Sequence, residues 1–239
     1  RSLSSAASDV YKRQDHEDDD PGTTWNQRAR ADKPDWMSPR MAWRAIQSAL
    51  PRDAIISSDI GNNCAIGNAY PSFDEGRKYL APGLFGPCGY GLPSIVGAKI
   101  GQPDVPVVGF AGDGAFGISV NELTAIGRDE WPAITQIVFR NYQWGAEKRN
   151  STLWFDDNFV GTELDTKVSY AGIAKACGLN GVQVKSMDEL TAVLNQAIKD
   201  QMENNKTTLI EVMLNQELGE PFRRDAMKKP VQVLSLIHI

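Results

Sequence analysis

Gly112, Asp113, Gly114 and Ala115 follow an apolar run at 105–110, and a second apolar run at 133–139 leads into Asn141. Each run has the composition of a strand buried on both faces of a parallel sheet. Their polar tips should therefore emerge side by side at the carboxyl edge of the sheet, where open α/β sheets take their ligands. Asp113 offers a charged oxygen and Asn141 a neutral one, while the glycines let a ligand approach the backbone closely. That set suits a hard divalent cation holding a diphosphate, because Mg²⁺ keeps few protein ligands and completes its shell with phosphate oxygens. The competing reading is a plain strand-to-helix turn with Asp113 as the N-cap. Taken alone the motif favours that turn; the spacing to Asn141 and the two flanking strands favour the cation site.

Two further segments have the same character. A short apolar strand (Ala54, Ile55, Ile56) runs into Asp59-Ile60-Gly61-Asn62-Asn63, and Gly86-Pro87-Cys88-Gly89-Tyr90-Gly91-Leu92-Pro93 forms a glycine-rich loop. For Asn62 and Asn63 the competing reading is a helix start with amide caps, and for Cys88 a small buried hydrophobe.

Together these segments resemble the thiamine diphosphate (ThDP) enzymes, whose diphosphate-binding motif is a Gly-Asp-Gly followed by a paired Asn-Asn. The resemblance implies that Asp113, Asn141 and the backbone carbonyl of Gln143 ligate Mg²⁺, with Gly112, Gly114 and Ala115 cradling the diphosphate. In the decarboxylase and acetolactate synthase branch of the family, Asn62 and Asn63 fall on diphosphate contacts. Gly86 and Cys88 fall on the loop beneath the aminopyrimidine ring, where a bulky aliphatic residue usually bends the cofactor. Two departures stand out: Cys88 in place of that aliphatic, and Arg140 in place of the first Asn, which leaves the metal ligand and removes an amide.

Longer blocks, at 141–150, 159–164 and 215–230, are similar to an acetyltransferase member of the family, and the likeness extends over residues 15–231. It implies conversion of sulfoacetaldehyde and phosphate to acetyl phosphate and sulfite, with the cofactor supplying the nucleophilic carbon. Both substrates are anions with three peripheral oxygens, which suits guanidinium forks. Arg223 and Arg224 are the leading candidates, ahead of Lys148, Arg149, Lys228 and Lys229; for all six a solvated surface charge is the competing reading. Tyr142 and Trp144 read as packing or cofactor-shelf residues. The resemblance also implies that the ring-activating glutamate lies on a separate pyrimidine-binding domain that precedes this region. This chain is then the C-terminal, diphosphate-binding third of a longer homo-oligomeric enzyme, and neither Glu122 nor Glu147 takes the activating role. Two alternatives stay open: another ThDP enzyme of the same branch, and a non-catalytic α/β nucleotide-binding module.

The elements needed to position these residues can be read along the chain. Residues 1–14 and 234–239 resemble adapter-derived ends, and 15–37 is acidic and polar, like an interdomain linker. A domain is expected over 38–233, opened by Ser38-Pro39 as N-cap and first helical proline. Met41, Ala42, Ala45, Ile46, Ala49 and Leu50 line one face of the first helix. Further helices are expected over 64–70, 92–100 (stopping at Gly101), 119–128 and 169–177 (stopping at Gly178). A last helix opens with the capping box Ser186 to Glu189, and strands are expected at 182–185 and 207–214. Such alternation gives an α/β, doubly wound, mostly parallel sheet with helices on both faces.

Composition sets the remaining bounds. The 239 residues are 41% hydrophobic with a net charge of −5, which argues against nucleic acid as the main partner, and no run reaches membrane-spanning length. Two histidines, His16 and His238, sit near the ends and leave no Ser-His-Asp or Cys-His site, so hard chemistry falls to a cofactor. Three cysteines without metal-ligand spacing fit a reducing cytoplasm.

Overall fold

The computed structural model describes residues 36–155 and 158–218. Strands β1 (Ile55–Ser58), β2 (Tyr79–Leu80), β3 (Val107–Gly112), β4 (Thr135–Arg140), β5 (Asn180–Val184) and β6 (Thr208–Met213) form one sheet in the order β2-β1-β3-β4-β6-β5. Every neighbouring pair is parallel. The helices are α1 (Pro39–Ala49), α2 (Asn62–Gly67), α3 (Gly91–Gly101), α4 (Asp113–Ser119), α5 (Leu123–Ile126), α6 (Gly145–Trp154), α7 (Tyr170–Ala176) and α8 (Met187–Asn204).

Successive residues of each strand point to opposite faces, and the two faces are covered by different helices. Val108, Phe110, Ile137, Phe139, Ile210 and Val212 pack with α1, α2 and α8. Val107, Ala111, Val138 and Leu209 pack with α3, α4, α5 and α7. The expected doubly wound sheet is present, and it is wholly parallel.

Helix α1 begins as the sequence implies. The Ser38 side chain accepts a hydrogen bond from the Met41 amide, and Pro39 stands in the first turn. Met41 itself is 39% exposed, whereas Trp43 is buried. The Trp43 ring lies 4.7 Å from Phe110 and 5.3 Å from Phe139 between centroids, and its Nε1 donates to the Asn63 carbonyl at 2.8 Å. An aromatic buried on this scale contributes about 1.5–3 kcal/mol; here it also fixes the start of α2 against the sheet.

Several boundaries differ from the sequence reading. The expected helix over 119–128 is instead α4, a 3₁₀ turn (Val120–Glu122) and α5. Helix begins at Asp113 because Gly114 and Gly117 let other groups pack onto its first turns: a Cβ at Gly114 would stand 2.8 Å from the Trp144 ring, and one at Gly117 would stand 2.9 Å from the Tyr170 hydroxyl. Helix α2 starts two residues before the expected 64, and α3 includes Gly101, with Gln102 as its C-cap. Gly178, at φ +81, does close α7, and the Ser186 hydroxyl accepts from the Glu189 amide at α8. Strand β5 begins two residues before the expected 182.

Candidate functional site

The order of the strands reverses between β1 and β3, because β2 lies on one side of β1 and β3 on the other. Such a reversal opens a crevice at the carboxyl ends of the strands. Register then decides which residues meet there. Ser58 pairs with Phe110 and Gly112 with Phe139, so the segments after β1, β3 and β4 emerge level with one another. Asn62, Asn63, Gly86, Cys88, Gly112, Asp113, Gly114, Ala115, Asn141 and Gln143, all singled out in the sequence, line one cleft of about 140 Å³. Whole small-molecule sites run to about 300–1,000 Å³; this cleft has room for a diphosphate and little more. Trp144, Gly145, Ala146 and Glu147 at the start of α6 complete its wall.

Asp113 is 1% exposed and does not cap its helix; the N-cap is Gly112, without a side-chain bond. Its two carboxylate oxygens have different surroundings. Oδ2 accepts from the Tyr142 amide at 2.6 Å, the Asn141 amide at 3.1 Å and Arg140 Nη1 at 3.1 Å. Oδ1 accepts from the Gly114 amide at 3.0 Å. Two successive backbone N–H groups converge on Oδ2 because Tyr142 adopts φ +60, a left-handed conformation unfavourable for a bulky residue and held here by its surroundings. Burial pushes the Asp113 carboxyl up to about 6, against the lowering effects of the Arg140 charge and the Tyr142 and Gly114 amides.

Arg140 does more than vacate an amide. Its guanidinium is 1% exposed, pairs with Asp113 and, at 3.6 Å, with Glu211. It donates to the carbonyls of Asp165 at 2.6 Å and Val168 at 3.0 Å and lies 4.1 Å from the Tyr142 ring. Glu211, fully buried on β6, accepts from Ser169, Gln183 and the Ala171 amide at the start of α7. Two carboxylates thus face one guanidinium, and of these three side chains only Asp113 lines the cleft.

The amides around Asp113 are short of partners. Asn141 Oδ1 and Nδ2, Asn62 Nδ2, Asn63 Oδ1 and Gln143 Oε1 are all buried without a hydrogen-bond partner, an arrangement whose cost of about 1–3 kcal/mol per group a polar ligand in the cleft would relieve. Asn62 and Asn63 do not act as caps of α2, whose N-cap Gly61 has no side-chain bond. Gln143 forms an isolated antiparallel bridge with Glu163. The flanking bonds, Trp144 N–H to the Thr162 carbonyl and Leu164 N–H to the Tyr142 carbonyl, turn the Gln143 carbonyl away from that segment. Among the described residues no three His, Cys, Asp or Glu side chains cluster as a metal site. A cation here would take one carboxylate, neutral oxygens and the oxygens of its own ligand, the set Mg²⁺ favours.

Three contributions were not evident from the sequence. Asp59, at the end of β1, accepts from the Gly89 amide at 3.1 Å through Oδ1 and the Gly91 amide at 2.7 Å through Oδ2. It thereby ties the 86–91 loop to the cleft, and desolvation raises its pKa. Gln216 donates to the Asn141 carbonyl at 3.2 Å and accepts from Gln143 Nε2 through its own carbonyl at 3.0 Å, bracing both candidate ligand residues. Arg140 is the third. Cys88 is exposed rather than a buried hydrophobe, and partial burial of its thiol raises its pKa. Lys148 is engaged with Glu163 at 2.6 Å and Gln216 at 3.1 Å. Arg223, Arg224, Lys228 and Lys229 lie outside the described residues.

An open parallel α/β sheet with an anion- and cation-compatible cleft at its switch point defines a class of ligand-binding domains shared by many functions. Within that class, residues 59–212 match the C-terminal TPP-binding domain of the thiamine pyrophosphate enzymes, and the chain belongs to that family. It is 82% identical over 222 residues to the sulfoacetaldehyde acetyltransferase of Roseovarius nubinhibens, covering 93% of this chain and 37% of the relative. It is 44% identical over 199 residues to the sulfoacetaldehyde acetyltransferase of Castellaniella defragrans, covering 83% and 33%. The fold is similar to benzoylformate decarboxylase from Polynucleobacter necessarius, with TM-score 0.68 and 21% identity over 80% of this chain and 35% of that one. The chain therefore spans little more than a third of the curated relatives it matches.

Proposed function

We propose that this chain is the diphosphate-binding part of a ThDP-dependent sulfoacetaldehyde acetyltransferase, which forms acetyl phosphate and sulfite from sulfoacetaldehyde and phosphate. The observation that carries the site is the set of buried amide atoms without a partner, on Asn62, Asn63, Asn141 and Gln143, gathered with the Asp113 carboxylate in one cleft. The 82% identity to the Roseovarius relative supports sulfoacetaldehyde as the substrate, and phosphate is the acceptor that the family resemblance implies. Asp113, Asn141 and the Gln143 carbonyl hold Mg²⁺ in this reading, and the Gly112 to Ala115 turn with Asn62 and Asn63 holds the diphosphate. When bound, ThDP would supply a nucleophilic carbon for the aldehyde carbonyl.

The chain's own residues bind and orient. Asp113 neutralises part of the cation charge while Arg140 and two backbone amides fix its carboxylate. The loop at 86–91, clamped by Asp59, brings Gly86 and Cys88 to the cleft, and Trp144 packs on Gly114. Arg223 and Arg224 recognise the sulfonate or the phosphate. The cleft's small volume and the exposure of Leu84 and Phe85 beside the 86–91 loop, 96% and 94%, support a covering pyrimidine-binding domain from a second copy in a homo-oligomer, and that domain carries the activating glutamate. Residues 38–233 form the diphosphate-binding domain, 15–37 its linker, and 1–14 with 234–239 are foreign ends. A cytoplasmic setting fits the three free cysteines; among the described residues no helix is long and apolar enough to cross a membrane.

The test is a chimera in which this chain's matched region replaces the corresponding segment of the Roseovarius relative. Phosphate-dependent sulfite release from sulfoacetaldehyde at a rate near that of the parent is the expected result. Pyruvate condensation or 2-oxoacid decarboxylation in its place would overturn the substrate assignment and favour another member of the same branch.

A further inference from the structure

Asn62, 5% exposed, is held from one side by α6. A Cβ at Gly145 would stand 3.2 Å from the Asn62 Cβ, so the absence of a side chain there lets the two segments close. One helical turn later on the same face, Arg149 Nη1 reaches the Asn62 Oδ1 at 3.1 Å. The two ends of a carboxamide are alike in shape, and their assignment follows from their neighbours. A guanidinium only donates, so the atom facing Arg149 is the carbonyl oxygen. The amide nitrogen must then face the other way, and Asn62 Nδ2 is the buried, unpartnered donor on the wall of the cleft. Arg149 does not itself line the cleft.

We propose that Arg149 is a positioning residue: by holding the Asn62 carbonyl it commits the Asn62 N–H₂ to donate into the cleft, toward an anionic phosphoryl oxygen. This rests on the reading of the cleft as a Mg²⁺–diphosphate site. Without Arg149 the carboxamide is free to turn, and in half of its settings it presents an acceptor that repels the same oxygen. A rival role is direct attraction by the guanidinium charge, whose Nε is also buried without a partner. The two roles differ in whether Arg149 acts through Asn62.

A double-mutant cycle on the full chain separates them, with ThDP titrated calorimetrically in saturating Mg²⁺. Asn62→Ala should weaken binding about tenfold, the worth of a hydrogen bond to a charged group, and Arg149→Met about fivefold. The double variant should bind no more weakly than Asn62→Ala alone, and Arg149→Lys, which keeps a donor, should recover most of the affinity. If Arg149→Met weakens binding by the same factor with and without Asn62, or has no effect at all, the positioning role is overturned while the cleft assignment stands. If neither the unaltered chain nor the chimera binds ThDP with Mg²⁺, the cleft assignment itself fails.

Discussion

Replacing Asp113 by Asn removes one charge with almost no change of shape, and the surroundings of the carboxylate dictate how the new side chain sits. The three donors at Oδ2, Arg140 Nη1 and the amides of Asn141 and Tyr142, oblige the carboxamide to present its oxygen to them. Its nitrogen then takes the place of Oδ1, faces the cleft as a donor and leaves the Gly114 amide without its acceptor. The variant therefore loses the charge and the ligand atom together. Unit charges about 4 Å apart at an effective dielectric of about 20 interact by roughly 4 kcal/mol. A divalent ion in direct contact loses at least that, so Mg²⁺ affinity should fall about a thousandfold or more. Folding should suffer less. The carboxylate is raised to about 6 from 3.8 even with the Arg140 attraction included, so the desolvation cost of its charge disappears in the variant, and Arg140 keeps Glu211 as a partner. Calorimetric Mg²⁺ titration in excess ThDP, with thermal unfolding alongside, reads both effects. Asn141→Ala, which removes a neutral ligand, should lose about ten- to a hundredfold. An Asp113→Asn variant whose Mg²⁺ affinity stays within about threefold of the parent would refute the assignment.

Because the free Asp113 carboxyl is raised to about 6 and a cation binds its charged form, Mg²⁺ affinity should be level above about pH 7 and fall about tenfold per unit below pH 6; a profile flat from pH 5 to 8 would contradict this. Arg140→Met leaves Asp113 and Glu211 buried without their guanidinium and should cost about 3–5 kcal/mol of stability, whereas Arg52→Ala, at an exposed pair with Asp74, should change unfolding by less than about 1 kcal/mol. In the chimera, Arg223→Lys and Arg224→Lys should raise KM for sulfoacetaldehyde or phosphate without altering ThDP affinity; KM for both anions within about twofold of the parent would return these arginines to a surface role.

The strand-to-helix alternation and the meeting of Asp113 with Asn141 were legible because both depend on local pattern: buried apolar runs with polar tips on neighbouring parallel strands. The pairing of Arg140 was not. As a sequence symbol it replaces an amide, and only the register of β4 with β6 brings it between Asp113 and Glu211. The same holds for Asp59, whose partners Gly89 and Gly91 lie across a loop, and for Gln216, which braces Asn141 from the far end of the domain. Helix α6 has no apolar stripe to announce it, since Glu147, Lys148, Arg149 and Asn150 follow one another; it is held by Gly145 and Arg149 against Asn62. The two-residue β2 is too short for any periodicity to show. Helix α4 starts earlier than its composition suggests: Gly114 and Gly117 disfavour helix locally, but the packing of Trp144 and Tyr170 onto them prevails.

Crystals of the chain grown with ThDP and Mn²⁺ as an anomalous substitute for Mg²⁺ would test the central claim most directly. One strong anomalous peak is expected in the cleft, about 2.1 Å from Asp113 Oδ1, Asn141 Oδ1 and the Gln143 carbonyl, with two diphosphate oxygens and one water completing the six-ligand shell and Asn62 Nδ2 donating to the same diphosphate. A metal peak elsewhere on the chain, or a diphosphate bound away from the Gly112 to Ala115 turn, would contradict it.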